Sequence, residues 1–205
     1  MYTQRSHVMS VVLIVLAVIG GVLILWLIST YNRLVNLRNQ VKNAWSQIDV
    51  QLQRRYDLIP NLVETVKGYM TYEKSTLEAV IAARSQAVSA KESVTRQGGP
   101  TDGSIKELIA AESTLKGTLG NLFALAENYP DLKANETMQR LQEELSSTEN
   151  KIAFARQAYN DQVMGYNTTQ QVFPAVLIAA TFGHHLADMY EIEDKLAKQA
   201  VKVSF

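Results

Sequence analysis

Acid–base chemistry has few places to start in this chain. Glu112 interrupts a seam of otherwise apolar residues, and Glu73 falls near the seam of the segment before it. Paired carboxylates can exchange protons with a substrate when burial raises the pKa of one of them. A polar residue in such a seam equally well sets helix register or marks the end of a bundle. Metal chemistry has less to work with. The chain has 3 histidines, His7, His184 and His185, and none belongs to a helix-borne Glu-x-x-His, the motif with which helical bundles hold two metal ions. His184-His185 reads as a solvated pair. Cysteine is absent, which excludes disulfides and thiolate metal sites. Gly98-Gly99 lies between helical segments with no strand before it, so it is not a phosphate-cradling loop. No Ser-His-Asp order appears. No catalytic, metal or cofactor residue is assigned, and no small-molecule substrate is identified.

The densest polar patch is Asp49, Arg54, Arg55, Asp57, Asn61 and Glu64 around Pro60. It reads either as a docking surface or as the ion-pair and capping network that fixes a hairpin. Asp57 can cap a helix with Pro60 in its first turn, where a missing N–H costs little. A hairpin at Asp57–Pro60 is the favoured reading, because it yields helices of comparable length that cover one another's apolar faces. The alternative is a kink in one long helix.

The elements that must position these residues are helices. Leu34, Leu37, Val41, Trp45, Ile48 and Leu52 recur at the threes and fours of one helix face. Leu62, Val66, Tyr69, Leu77, Val80 and Ala87 continue the pattern. A loop is expected at residues 97–103, then a capping box at Ser104 and Glu107 opening a seam of Ile105, Leu108, Leu115, Leu119, Leu122 and Ala126. Asn135 is the expected cap of a last long helix bearing Met138, Leu141, Leu145, Ile152, Tyr159 and Val163, and closing near Gly165.

Ahead of these helices, Val8 to Ile28 is uncharged. Its length of about 21 residues, at ~1.5 Å each, crosses a hydrocarbon core about 30 Å thick. Trp26 and Tyr31 sit where amphipathic rings favour the lipid–water boundary. The run is too long for a signal-peptide core, and no small-x-small cleavage site follows it. Ala17 and Gly21 form one small-xxx-small pair that lets two such helices approach. Arg33, Arg38 and Lys42 follow the run and only Arg5 precedes it, which places the C-terminal side in the cytoplasm.

The expected fold is therefore all-α: a transmembrane helix followed by an antiparallel four-helix bundle of long helices. Residues 1–7 form a short tail, 8–28 the span, 29–171 the bundle, 172–183 an apolar end segment and 184–205 a charged tail. The end segment is too short to span. It either caps the bundle or lies at the bilayer or on a partner, with Phe173, Pro174, Val176, Leu177, Ile178 and Phe182 in contact. The tail reads as solvated, with an alternating apolar strip at Val201–Phe205. With 20 basic and 20 acidic side chains the net charge is zero, which argues against nucleic acid as a partner.

Long motifs add a resemblance. YNRLVNLRNQVKNAWSQIDVQLQRRYDLIPNLVETVKGYMTYE (31–73), LFALAENYPDLKAN (122–135), LQEELSSTENKIAFAR (141–156) and AYNDQVMGYN (158–167) closely resemble the LemA family of bacterial membrane proteins. That resemblance implies an N-terminal anchor and long antiparallel helices, and it carries no enzyme activity with it. The related MamQ proteins are associated with magnetosome membrane formation, which points to membrane organisation. The tail HHLADMYEIEDKLAKQA departs from a common family version with an aromatic, proline-containing stretch before its acidic run. The expected protein is a non-enzymatic scaffold or adaptor at the bacterial cytoplasmic membrane, with the lipid bilayer, further copies of itself or other membrane proteins as partners. The alternatives are an envelope enzyme or ligand or metal sensor using Glu73 and Glu112, and an accessory subunit of a larger membrane complex.

Overall fold

A single helix, α1 (Tyr2–Lys67), begins the fold. Its 66 residues make a rod of about 100 Å. The computed structural model describes residues 2–97, 99–100 and 102–191. Beyond α1 come α2 (Lys74–Arg96), α3 (Asp102–Ala126), the single turn α4 (Pro130–Lys133), α5 (Glu136–Gln171) and α6 (Ala175–Thr181). The fold is all-α, with no strand among the described residues.

The hairpin expected at Asp57–Pro60 does not form. Pro60 lies inside α1, and Asp57 accepts a hydrogen bond from Gln53 within the same helix. A proline in a helix interior ordinarily costs about 3 kcal/mol, because it removes the donor for the carbonyl four residues back. Here that carbonyl belongs to Tyr56, and Arg84 of α2 supplies the missing donor: its Nε lies 2.7 Å from the Tyr56 oxygen. The first reversal comes later, at residues 68–73, where the amides of Tyr69 and Met70 both bond back to the Val66 carbonyl. Gly68 opens this turn and Met70 plugs it, buried under the bundle's end. Tyr129 donates to Glu73, and Asn135 to the Tyr69 hydroxyl, so the third reversal, after α3, is tied to the first.

Lengths then set the layout. Beyond Ile28, α1 runs for about 58 Å, and the 36 residues of α5 span about 54 Å against it. The pairing is marked by Trp45 and Tyr159, whose rings meet edge-on at 5.8 Å. By contrast α2 and α3, of 23 and 25 residues, pack mainly on each other and cover only the distal part of α1. One continuous core joins the four long helices, with Leu52, Tyr56, Ile59, Leu108, Leu115, Leu122 and Tyr159 fully enclosed.

Other boundaries shift for local reasons. Asn135 caps α5 as expected, its side chain accepting from the Met138 amide at 3.0 Å. Ser104 does not open α3, which starts at Asp102, and Ser104 is buried inside the helix. The last long helix continues past Gly165 to Gln171.

The Pro60–Arg84 pairing gives a test by double-mutant cycle. Arg84→Leu should cost about 1–3 kcal/mol by leaving the Tyr56 carbonyl unsatisfied. In a Pro60→Ala background, where an amide returns to that carbonyl, the same change should cost measurably less. Denaturant melts of the four proteins read the coupling.

Candidate functional site

The candidate catalytic carboxylates lie apart. Glu73 is at the distal turn. Glu112 lies in the middle of α3, buried against two neighbours on α1. Arg55 Nη1 is 3.1 Å from Glu112 Oε2, with both side chains about nine-tenths buried. The Tyr56 hydroxyl donates a short hydrogen bond to the other carboxylate oxygen. Adjacent residues on α1 thus hold the two oxygens of one carboxylate. Burial raises the Glu112 pKa above the usual carboxylate range, while the Arg55 charge and the Tyr56 hydroxyl pull it back down. Burial and the facing carboxylate push the Tyr56 phenol far above its usual value.

This arrangement knits helices together. Tyr56 carries three of the connections: its carbonyl takes Arg84 of α2, its hydroxyl takes Glu112 of α3, and its ring sits in the core. A second set of polar contacts runs down the same rod toward α2. Lys91 pairs with Asp49 at 3.2 Å and donates to Gln53 at 2.9 Å, and Gln53 in turn donates to Asp57.

The polar patch read from the sequence therefore does not form one face. Asp49 and Asp57 belong to the α2 side and Arg55 to α3. Arg54 points across to Glu144 of α5 at 3.8 Å. Pro60, Asn61 and Glu64 are exposed, with Glu64 beside Lys67. Asp49, Arg54 and Arg55 thus bind α1 to three different helices, while the rest of the patch stays on α1 itself.

The tail differs most from expectation. Residues 184–191 do not float: they lie extended along α5 and α1, and Tyr190 is buried. Two asparagines of α5 grip this strap. Asn167 accepts from the Ala187 amide at 2.9 Å and donates to the Ala187 carbonyl at 2.8 Å. Asn160 does the same to Tyr190, at 2.8 and 3.2 Å. The spacing explains the fit, since two helical turns and three residues of extended chain both measure about 10 Å. Tyr159 adds a bond to the Asp188 carbonyl, and Arg156 lies over the Tyr190 ring. No signal of hydrophobic period marks such a strap; the Asn-x6-Asn spacing is its only trace. Val201–Phe205 lie outside the described residues.

A groove of about 640 Å³ opens between the strap, α1 and the end of α2. Arg38, Lys42, Trp45, Tyr166 and His185 line parts of it. Glu112 does not reach it. Among the described residues no cluster of three or more His, Asp or Glu is placed to hold a metal ion.

At the other end of the chain, Leu13 to Leu25 of α1 projects free of the bundle with its large apolar side chains exposed. This helix is long and apolar enough to cross a membrane. The class defined is an all-helical bundle carried on a long apolar N-terminal helix. A model of the LemA family matches residues 44–205, and the chain belongs to that family. It is similar to the magnetosome protein MamQ 2 of Paramagnetospirillum magneticum, 27% identical over 179 residues, covering 80% of this chain and 66% of that protein. The magnetosome protein MamQ of Magnetospirillum gryphiswaldense is 27% identical over 171 residues, covering 77% and 63%. Protein LemA of Metamycoplasma hominis is 27% identical over 142 residues, covering 69% and 60%. The chain thus spans about two thirds or less of the length of these relatives. Their names are not enzyme names, and together with the apolar helix they are consistent with membrane association.

Two expectations follow. Glu112→Ala should destabilise the bundle by about 3–5 kcal/mol, because it strands Arg55 as a buried charge; thermal or denaturant melts read this directly. The phenols of Tyr56, Tyr159 and Tyr190 are all held above the usual value by burial. The unfolded chain therefore loses these protons first, near pH ~10. Their contribution to stability is complete below that pH and falls as pH rises beyond it. Alkaline titration should show these tyrosines ionising together with loss of helix, seen by phenolate absorbance and circular dichroism.

Proposed function

We propose that this chain is a non-enzymatic scaffold or adaptor, anchored by α1 in a bacterial cytoplasmic membrane and serving membrane organisation. The observation that carries this reading is the continuity of α1. The apolar segment and the central helix of the bundle are one unbroken element, so the bundle is held upright at the bilayer instead of trailing on a flexible linker. Family membership and relatives named as magnetosome proteins support the same reading. Glu112 needs no substrate to account for it, because Arg55 and Tyr56 already engage both of its oxygens.

Self-association through the anchor is the first form this role takes. Ala17 and Gly21 are exposed on α1, and a side chain built at Gly21 would meet nothing within 4 Å. Such a small-residue face lets a second helix approach closely. The bundle lies on the cytoplasmic side, since Arg33, Arg38 and Lys42 follow the span.

Light scattering on the full-length protein in mild detergent, with detergent mass subtracted, tests the assembly. A defined oligomer that shifts toward monomer in Gly21→Leu supports it, whereas a monomer at every concentration sinks self-association. A single cysteine at Gln97, exposed on the bundle, tests the orientation in a chain with no other cysteine. An impermeant maleimide should leave it unlabelled in intact cells and label it after lysis. Labelling in intact cells would place the bundle outside.

A further inference from the structure

The segment from Gln162 to Ala187 contains no Asp, Glu, Lys or Arg, and in its middle lies α6. Ala175, Ile178 and Ala179 form the buried face of this helix. Ile178 and Ala179 pack on Leu34 of α1, with Trp26 against the same cluster. Of the contact residues expected from the sequence, Ile178 is thus an internal packing residue. The opposite face stands open at Val176 and Leu177, the latter 62% exposed, and is flanked by Phe173, 80% exposed, and Phe182, 58%. A short helix that is apolar all round is stable only when something apolar covers its second face.

Its position says what that cover is. Trp26 to Leu34 is about 12 Å of α1, and the uncharged span ends between them at Ile28. The polar layer of a bilayer adds about 5–8 Å on each side of the hydrocarbon core. α6 therefore sits at the level where the span leaves the hydrocarbon. On α1, Leu23, Ile24, Leu25, Leu27 and Ile28, to either side of Trp26, are exposed as well. The Phe182 ring packs on Tyr31 at 5.0 Å, placing rings side by side at that level. Exposed Arg33, Arg38 and Lys42 follow immediately beyond on α1, where cationic side chains meet lipid phosphates.

We propose that α6 is a second membrane contact: Phe173, Val176, Leu177 and Phe182 rest in the headgroup–acyl boundary of the bilayer that α1 crosses. This inference rests on the reading that α1 spans the membrane. A partly buried apolar helix of this kind adds affinity for the surface in proportion to its area. It also fixes how deep the bundle sits, because α6 is packed rigidly on α1 and held by the strap that follows it.

The test uses the full chain in lipid vesicles, with single cysteines carrying an environment-sensitive fluorophore at Leu177, at Leu23 in the span and at Ile81 on the exposed side of α2. The quenchers are lipid-borne spin labels and aqueous iodide. The expected result is a blue-shifted probe at both Leu177 and Leu23, quenched from the lipid and sheltered from iodide, with Ile81 the reverse. The Leu177 probe should respond more to a spin label near the headgroup, and the Leu23 probe more to one deep in the chains. Lipid quenching at Leu23 with iodide quenching at Leu177 overturns the proposal and leaves the anchor intact. Shelter at Leu177 from both quenchers also overturns it, in favour of cover by protein. Iodide quenching at both sites shows that the spanning reading itself has failed.

Discussion

One unpaired carbonyl organises this bundle. Pro60 removes the helical partner of the Tyr56 oxygen, and α1 stays continuous because Arg84 of α2 reaches across to replace it. A charged donor on a buried carbonyl is a strong and directional bond, so it also sets how α2 lies along α1. The same residue sends its hydroxyl to Glu112 of α3, while its neighbour Arg55 holds the second carboxylate oxygen. Three helices are registered around two consecutive residues. The buried ion pair adds little net stability, since desolvation offsets most of its attraction. What it adds is selectivity: a slip of one turn would leave an arginine and a glutamate buried without partners.

The proximal half of α1 is held by other means. α2 and α3 are too short to reach it, so α5, the strap and α6 cover it instead. The strap adds no regular secondary structure. At Ala187 and Tyr190 its backbone groups are satisfied by two asparagine side chains that imitate the edge of a neighbouring strand, donor and acceptor to the same residue. Tyr190 then closes the core beside Trp45, at 6.4 Å between ring centres. The side of α1 and α5 that α2 and α3 leave open is thus covered by a segment whose sequence looks polar and charged.

Much of the architecture was legible because helix faces repeat every three or four residues. The seams of α3 and α5 and the cap at Asn135 could be read directly. Pro60 could not, because the donor that rescues it comes from a residue far along the chain. Gly68 was the better sign of the reversal, masked by Tyr69 and Met70, which continue the apolar pattern although only Met70 is buried, as the plug of the turn, and Tyr69 is exposed. The polar patch misled for a related reason. Consecutive charged residues on a helix point in different directions, and Arg54 and Arg55 serve different partners. Glu112 stood out as an oddity in its seam, but only the fold names Arg55 and Tyr56 as the groups around it. The end segment 172–183 was recognisable by its lack of charge, and its level beside Leu34 follows from an odd number of reversals, three, wherever the first one falls.

The unbroken length of α1 has a mechanical consequence. Spanning helices tilt to match their hydrophobic length to the thickness of the surrounding bilayer. In the proposed setting, with α1 across a bilayer and no joint at the surface, the bundle follows any such tilt as a stiff lever. Its arm beyond Ile28 is about 58 Å, so each degree of tilt carries the distal turn sideways by about 1 Å. A change in lipid thickness too small to alter any contact within the bundle would thus be displayed, enlarged, at the tip farthest from the lipid.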